Sequence, residues 1–294
     1  NLSKKARETL SRRYCVGRAA PKASARSVDG TVKYLFDGKG GRDVEAVYIP
    51  DRDRATLCVS SQAGCRMGCK FCMTGRQGFH GNLTAGDIIN QVLSIPESES
   101  LTNIVFMGMG EPMDNLDAVL DAITVLTSPW GLAWSPKRIT VSTIGKITEL
   151  KRLLDETKVH VAISVHAPSA PLRESLMPVE KAYPLKSVLE LLKHYDFSHQ
   201  RRLSVEYIMW GGLNDTLRHA QSLARLLKGL DCRVNLIRFH AIPDSDLHTS
   251  DDSTMTAFRD RLNELGITAT IRTSRGEDIA AACGMLAGKS KNDS

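Results

Sequence analysis

The chain has 294 residues, 42% of them hydrophobic, with a formal net charge of +6. That is enough to bury a full core, as one large domain or two ordinary ones. No apolar run approaches the roughly 20 residues of a membrane span, which excludes a helical membrane protein. The N-terminus, "NLSKKARETLSRRYCVG", has no apolar core of the signal-peptide kind, so a cytoplasmic protein is expected. It begins at Asn1 and not at Met, so further residues are expected upstream. In a reducing compartment, seven cysteines point to metal binding or catalysis over a disulfide framework.

In chain order, the first 30 residues read as a short helix and a loop. Residues 1–26 carry eight basic side chains (Lys4, Lys5, Arg7, Arg12, Arg13, Arg18, Lys22, Arg26) against Glu8. This is either a solvated terminus or a phosphate-contacting arm. Short strands follow at 31–36, 44–50 and 55–61, the first two separated by the turn "DGKGG". A helix over 83–96 is capped at Thr84, with Asp87 three residues on and Ile88, Ile89, Val92 and Leu93 on one face. Strands and helices then alternate. Strands at 103–108, 138–143, 160–166, 202–210 and 233–240 are each followed by a helix, and a last strand covers 268–274. Such alternation implies parallel strands with helical crossovers. Counting from the strand at Cys58, six βα units fit. Eight would close a barrel, so the fold class is α/β, an incomplete (βα)6 barrel open on one side, with a short N-terminal extension.

Four cysteines lie between residues 58 and 72, and three of them, Cys65, Cys69 and Cys72, are spaced C-x3-C-x2-C. A zinc site usually wants four protein ligands, and none follows at a usual spacing. Three thiolates can hold three irons of a [4Fe–4S] cluster, leaving the fourth open to a small molecule.

With Phe71 before the last cysteine, this motif resembles the radical S-adenosylmethionine (SAM) superfamily. "CVSSQAGCRMGCKFCMTGRQGF", "GMGEPMDN", "RITVSTIG", "SVHAP", "RESLMPVEKAYPL", "GLNDT" and "RTSRGEDIAAACGMLAG" narrow this. Together they are similar to the RlmN/Cfr family of radical SAM ribosomal RNA adenine methyltransferases, over residues 28 to 289. The resemblance implies two cofactors, a [4Fe–4S] cluster on Cys65, Cys69 and Cys72, and SAM. It places Gly110 and Glu111 at the methionine end of SAM, with Ser142, Ser164, Val165 and His166 as further contacts. Gly108 and Asn235 lie on the same rim. Where the family commonly reads "NLIPxN", this chain reads "NLIRFH", so His240 takes the position of a SAM-contacting Asn.

The family chemistry implied is methylation of adenine C2, whose inert C–H rules out ordinary methyl transfer. Cys283 would take a methyl from one SAM, and a radical generated from a second would activate it for addition to the ring. Glu45 would accept the ring proton and Cys58 would resolve the covalent adduct as a disulfide. Cys15 and Cys232 read as structural thiols. The implied partners are 23S ribosomal RNA, transfer RNA for some members, and an electron donor such as flavodoxin or ferredoxin, with no membrane. Candidate phosphate contacts are the basic N-terminal segment, Lys137–Arg138, Arg201–Arg202 and Arg275.

Cfr-like methylation at C8 is the alternative within the family. A generic radical SAM enzyme would not need the Cys58/Cys283 pair, and a non-catalytic Fe–S RNA-binding protein would not need the SAM rim. The expected organisation is a remnant of an N-terminal RNA-binding accessory domain over 1–27, a β extension over 28–57, the partial barrel over 58–289 and a disordered tail over 290–294.

Overall fold

The computed structural model describes residues 2–13, 17–198 and 201–288. The expectations for Cys15 and for the tail over 290–294 lie outside these residues.

Helix α1 (Lys4–Arg13) buries none of its residues. An antiparallel meander follows: β1 (Ala23–Arg26), β2 (Val32–Phe36), β3 (Val44–Asp51) and β4 (Arg54–Cys58). Val32, Tyr34 and Phe36 of β2 are buried and the residues between them half-buried, the period-two pattern of a sheet with one core face. The cysteine loop then runs between β5 (Gln62–Gly64) and β6 (Phe79–Asn82), which form a small hairpin around α2 (Met73–Arg76).

The rest is a regular alternation: α3 (Ala85–Leu93), β7 (Asn103–Phe106), α4 (Leu116–Thr127), β8 (Ile139–Thr143), α5 (Ile147–Glu156), β9 (His160–Ser164), α6 (Ala170–Leu176), α7 (Leu185–Leu192), β10 (Leu203–Met209), α8 (Leu217–Leu226), β11 (Arg233–Arg238), α9 (Asp252–Glu264) and β12 (Ala269–Ile271). The main sheet has ten strands in the order β1-β2-β3-β4-β7-β8-β9-β10-β11-β12. From β4 to β12 every pairing is parallel. β1 and β12 are its two edges, so six βα units and a final strand form the expected open, incomplete barrel. Strands covered on both faces are apolar throughout, as Val161, Ala162 and Ile163 show in β9.

The cap of α3 is as read from sequence. Thr84 Oγ1 accepts from the Asp87 backbone N–H, and Asp87 accepts from the Thr84 N–H at 2.8 Å, two orphan donors satisfied reciprocally. Two elements differ from the reading. β1 occupies what was taken as loop, so the β extension starts at residue 23 and not at 28. The β5–β6 hairpin is also new, and it clips the cysteine loop shut through the Cys65 N–H donating to the Gly78 carbonyl at 2.8 Å. Among the described residues no helix is long and apolar enough to cross a membrane.

Candidate active site

The C-terminal ends of the parallel strands surround a cavity of about 150 Å3. Cys65, Cys69 and Cys72 open onto it from the loop after β4. Facing them are Gly108, Gly110 and Glu111 after β7, Ser142 on β8, and Ser164 and His166 at β9. Burial pushes the Cys65 thiol up to about 12 and raises Cys69 well above its ordinary value. Cys65 is raised further by Glu111 and Cys72, and Cys69 by Cys72 and Cys65. Such thiols ionise only against a strong local positive charge, which a metal centre supplies. Three thiols opening onto one cavity fit a multi-iron cluster.

Glu111 is fixed by short contacts. Thr143 Oγ1 and the Met113 N–H donate to Oε1, and the Ile144 N–H donates to Oε2 at 3.1 Å. Burial nonetheless lifts its carboxyl to about 7, against the pull of these donors. A cationic ligand would offset that desolvation. Gly110 has φ +98°, and a Cβ there would meet Gln62 Cβ at 2.6 Å. Gln62 in turn accepts from the Glu111 N–H at 2.9 Å, so the glycine lets β5 hold the carboxylate loop. His166 sits at φ +57°, an uncommon conformation for a side chain. Its Nδ1 accepts from the Ile208 N–H at 3.1 Å. Burial, with Arg173 nearby, lowers its pKa to about 3, so it stays neutral.

Arg173 is fully buried and ties the rim together. It donates to the carbonyls of Ile144, Ser164 and Val165 and pairs with Glu180. The side chain of Val165 lies in the core and not on the cavity.

A second, larger cavity of about 470 Å3 lies beyond Cys283. Val105, Met107, Ile237, Ile271 and Leu286 give it an apolar wall, and both Cys58 and Cys283 line it. Cys283 lines the inner cavity as well, whereas Cys58 opens only onto the outer one. Burial pushes Cys58 up to about 12 and also raises Cys283, although Cys283 is open to the cavity space. Arg272 opposes both shifts. Its guanidinium lies 3.5 Å from Glu206 Oε2 and 3.7 Å from Met107 Sδ. Burial disfavours the Arg272 charge, but Glu206 and the two thiols more than compensate.

The two cavities differ in charge. The inner one is lined by the carboxylates Glu111 and Glu206. The outer one carries Arg54, Arg272 and Arg275 against Asp51. Glu206 and Arg272 were missed in the sequence, although a lone acid inside the apolar strand "RLSVEYIMW" was a legible signal.

Some expected site residues stand elsewhere. Asn235 bridges strands, donating to Glu206 Oε1 at 2.8 Å and accepting from Thr270. His240 lines the outer cavity and not the inner one, with Nδ1 3.3 Å from Glu277. Glu45 lines neither cavity. Its carboxylate pairs with Lys33 and accepts from the backbone N–H groups of Ala287 and Gly288. Arg138 caps the carbonyls of Leu101 and Thr102 and stacks on Trp134, and Arg201 is buried against the carbonyls of Leu154 and Thr157. Both are structural and not phosphate contacts. Cys232 is half-buried, packed against the core.

The Radical SAM superfamily model matches residues 59–227. A probable dual-specificity RNA methyltransferase RlmN of Phocaeicola vulgatus is 60% identical over 97% of this chain and 82% of its own length. The dual-specificity RNA methyltransferase RlmN of Syntrophobacter fumaroxidans is 46% identical over 88% of this chain and 77% of its own. Among solved structures, a radical SAM methyltransferase from Sphaerobacter thermophilus superposes with a TM-score of 0.91 at 39% identity, covering 97% of this chain and 86% of that one. The chain therefore belongs to the radical SAM superfamily and, within it, to the RlmN family of RNA methyltransferases.

Proposed function

We propose that the protein methylates C2 of an adenine in 23S ribosomal RNA and in transfer RNA, through a methyl group carried on Cys283. The observation that carries this reading is the placement of the thiols: Cys283 opens onto both cavities and Cys58 onto the outer one alone. The names of the relatives support an RNA substrate.

In this reading Cys65, Cys69 and Cys72 hold a [4Fe–4S] cluster, and Glu111, Gly110, Ser142, Ser164 and His166 hold SAM. When bound, these groups supply the methyl carbon and the radical chemistry that an inert C–H requires, with electrons from a donor of the flavodoxin or ferredoxin class. Glu111 and Glu206 suit the cationic sulfonium and ammonium of SAM. The arginines of the outer cavity suit a polyanion. A base must leave its stack to reach the thiols at the inner end, and the apolar wall there offers it a surface.

Cys283 is loaded from the inner side and reacts on the outer side. As a thiolate it would attack the methyl carbon of a sulfonium, whose thioether leaves, and Arg272 is the cation that favours this charged form. Once the carbon is joined to the ring, the Cys58 thiolate would attack Sγ of Cys283, the S–S bond forming as the C–S bond breaks and the electron pair of that bond going to the methylene carbon, which takes up a proton. Loss of the ring C2 proton to a base, and of the one electron left unpaired by radical addition to the enzyme's redox centre, would complete methyladenine.

Intact-protein and peptide mass spectrometry after expression tests the reading. A methyl group on Cys283 is expected, and its loss in Cys283→Ala should accompany loss of methyladenine. An unmodified Cys283 in protein that still produces methyladenine contradicts it.

A further inference from the structure

Residues 54–86 hold no Asp or Glu, in a chain that carries 33 of them. The cysteine loop lies within this stretch, and its side chains alternate in direction. Cys65, Met67, Cys69 and Phe71 face the inner cavity. Arg66, Gly68 and Lys70 are exposed and line neither cavity. Two cations therefore stand on the solvent side of the residues whose thiols point inward.

No carboxylate neutralises them. Arg66 lies over Phe79, its guanidinium carbon 3.9 Å from the ring centroid, a contact that orients the side chain and keeps its charge. Among the described residues neither Arg66 nor Lys70 has an ion-pair partner. Gly68 stands between them at φ +62°, and a Cβ there would meet nothing within 4 Å, so the backbone between the two cations is bare. Arg76, also exposed, is held by the carbonyls of Lys70, Pro243 and Asp244. This network brings Asp244 beside the loop and offsets part of the charge there, which leaves Arg66 and Lys70 as the centre of the basic face. The face is anchored from behind, since the Lys70 N–H donates to the Leu176 carbonyl at 3.0 Å.

Electrons must reach the group on Cys65, Cys69 and Cys72 from outside. In the function proposed above, SAM occupies the inner cavity and RNA the outer one. On the side of the outer cavity the loop is closed by the segment after Cys283. The Met73 N–H donates to the Gly284 carbonyl at 2.8 Å, and Thr74 Oγ1 donates to the Leu286 carbonyl at 2.6 Å. The solvent face of the loop is the approach that neither ligand fills.

We propose that this face, centred on Arg66 and Lys70, is the docking surface for a small acidic one-electron carrier protein. The reduced carrier is oxidised by one electron there, the centre held by the three cysteines is reduced by one, and no atom is transferred. Electron-transfer complexes bury little area, and complementary charge speeds their encounter, so a few unpaired cations suffice. An RNA backbone would also suit such charges, but the outer cavity that holds Cys58 and Cys283 already presents Arg54, Arg272 and Arg275 to it. The inference rests on the redox reading of the cysteine triad given above.

A flavodoxin is the probe. The variants are Arg66→Glu/Lys70→Glu and the neutral Arg66→Gln/Lys70→Gln. Lys158→Glu is the control: Lys158 is exposed and precedes β9, whose other end carries Ser164 on the inner cavity. Iron content checks that each reconstituted variant keeps its centre. The first measurement is affinity for oxidised flavodoxin at several salt concentrations. Wild-type binding should weaken as salt rises. Charge reversal should weaken it at low salt by roughly tenfold or more, the neutral pair by less, and Lys158→Glu by no more than about twofold. The second measurement is SAM cleavage without RNA. It should fall in the charge-reversed variant when reduced flavodoxin is limiting, and stay unchanged with dithionite, which needs no docking surface. RNA affinity should not change. Equal flavodoxin affinity in wild type and the charge-reversed variant, or no binding by either, overturns the proposal. So does a fall in RNA affinity alone, which gives the face to RNA. A wild-type protein that holds no iron and cleaves no SAM with dithionite fails the reading of the triad, whereas the binding comparison alone decides the surface.

Discussion

Cys58 and Cys283 share one cavity but differ in reach, because only Cys283 also faces the three cysteines of the loop after β4. One thiol can therefore be loaded on the inner side and the other met on the outer side. Their ionisation differs as well. Burial holds Cys58 at about 12, so below pH 10 it is almost wholly protonated. Its thiolate fraction, and with it the rate of alkylation, should rise about tenfold per pH unit from 7 to 10 without a plateau. Cys283 is raised too, but it is open to the cavity. Iodoacetamide applied to protein whose Cys283 carries no methyl group, expressed without the cluster and reconstituted without SAM, should label Cys283 first, as peptide mapping would show. Faster labelling of Cys58 at pH 8 contradicts the assignment.

Arg272 faces both thiols while pairing with Glu206. Arg272→Met should slow alkylation of Cys283 at pH 8 by roughly tenfold, the scale of a pKa rise of about one unit. Arg272→Lys should slow it less. An unchanged rate in Arg272→Met removes the guanidinium from thiolate stabilisation.

Glu111 is one of two buried carboxylates of the inner cavity, with Glu206. Glu111→Gln keeps one oxygen acceptor, for either the Ile144 or the Met113 N–H, and loses the charge. SAM affinity, read by equilibrium dialysis, should fall about tenfold to a hundredfold, the range for a charge-assisted hydrogen bond. RNA affinity should not change. Unaltered SAM binding would place the ammonium elsewhere.

Arg54 and Arg275 stand on the outer cavity, Arg275 in a 3.3 Å contact with the exposed Asp51. Replacing either by Met should weaken RNA binding and reduce the slope of log affinity against log salt by about one. An unchanged slope excludes that residue as a phosphate contact.

Much of the barrel was legible because its signals are local. The period of β2, the cap at Thr84 and the apolar run of β9 each follow from neighbours in the chain. β1 was not legible, since "ASAR" is an almost wholly exposed edge strand with no apolar alternation, and β2 alone defines it. The cysteine triad could be read from spacing. The fate of Glu45 could not, because its partners Ala287 and Gly288 lie more than 240 positions away and offer only backbone N–H groups. A backbone donor leaves no trace in residue type. Arg138 and Arg201 failed as phosphate contacts for the same reason, each being consumed by main-chain carbonyls.

The central claim is that Cys283 carries the carbon and Cys58 releases it. The most direct measurement is denaturing electrophoresis of Cys58→Ala after turnover with RNA under anaerobic conditions. The account predicts a slow-migrating band, shortened by nuclease, in which RNA is joined through Cys283. The band should be absent from Cys283→Ala and from the double variant. Normal turnover by Cys58→Ala with no trapped RNA contradicts the account and returns Cys58 to a buried cysteine at the end of β4.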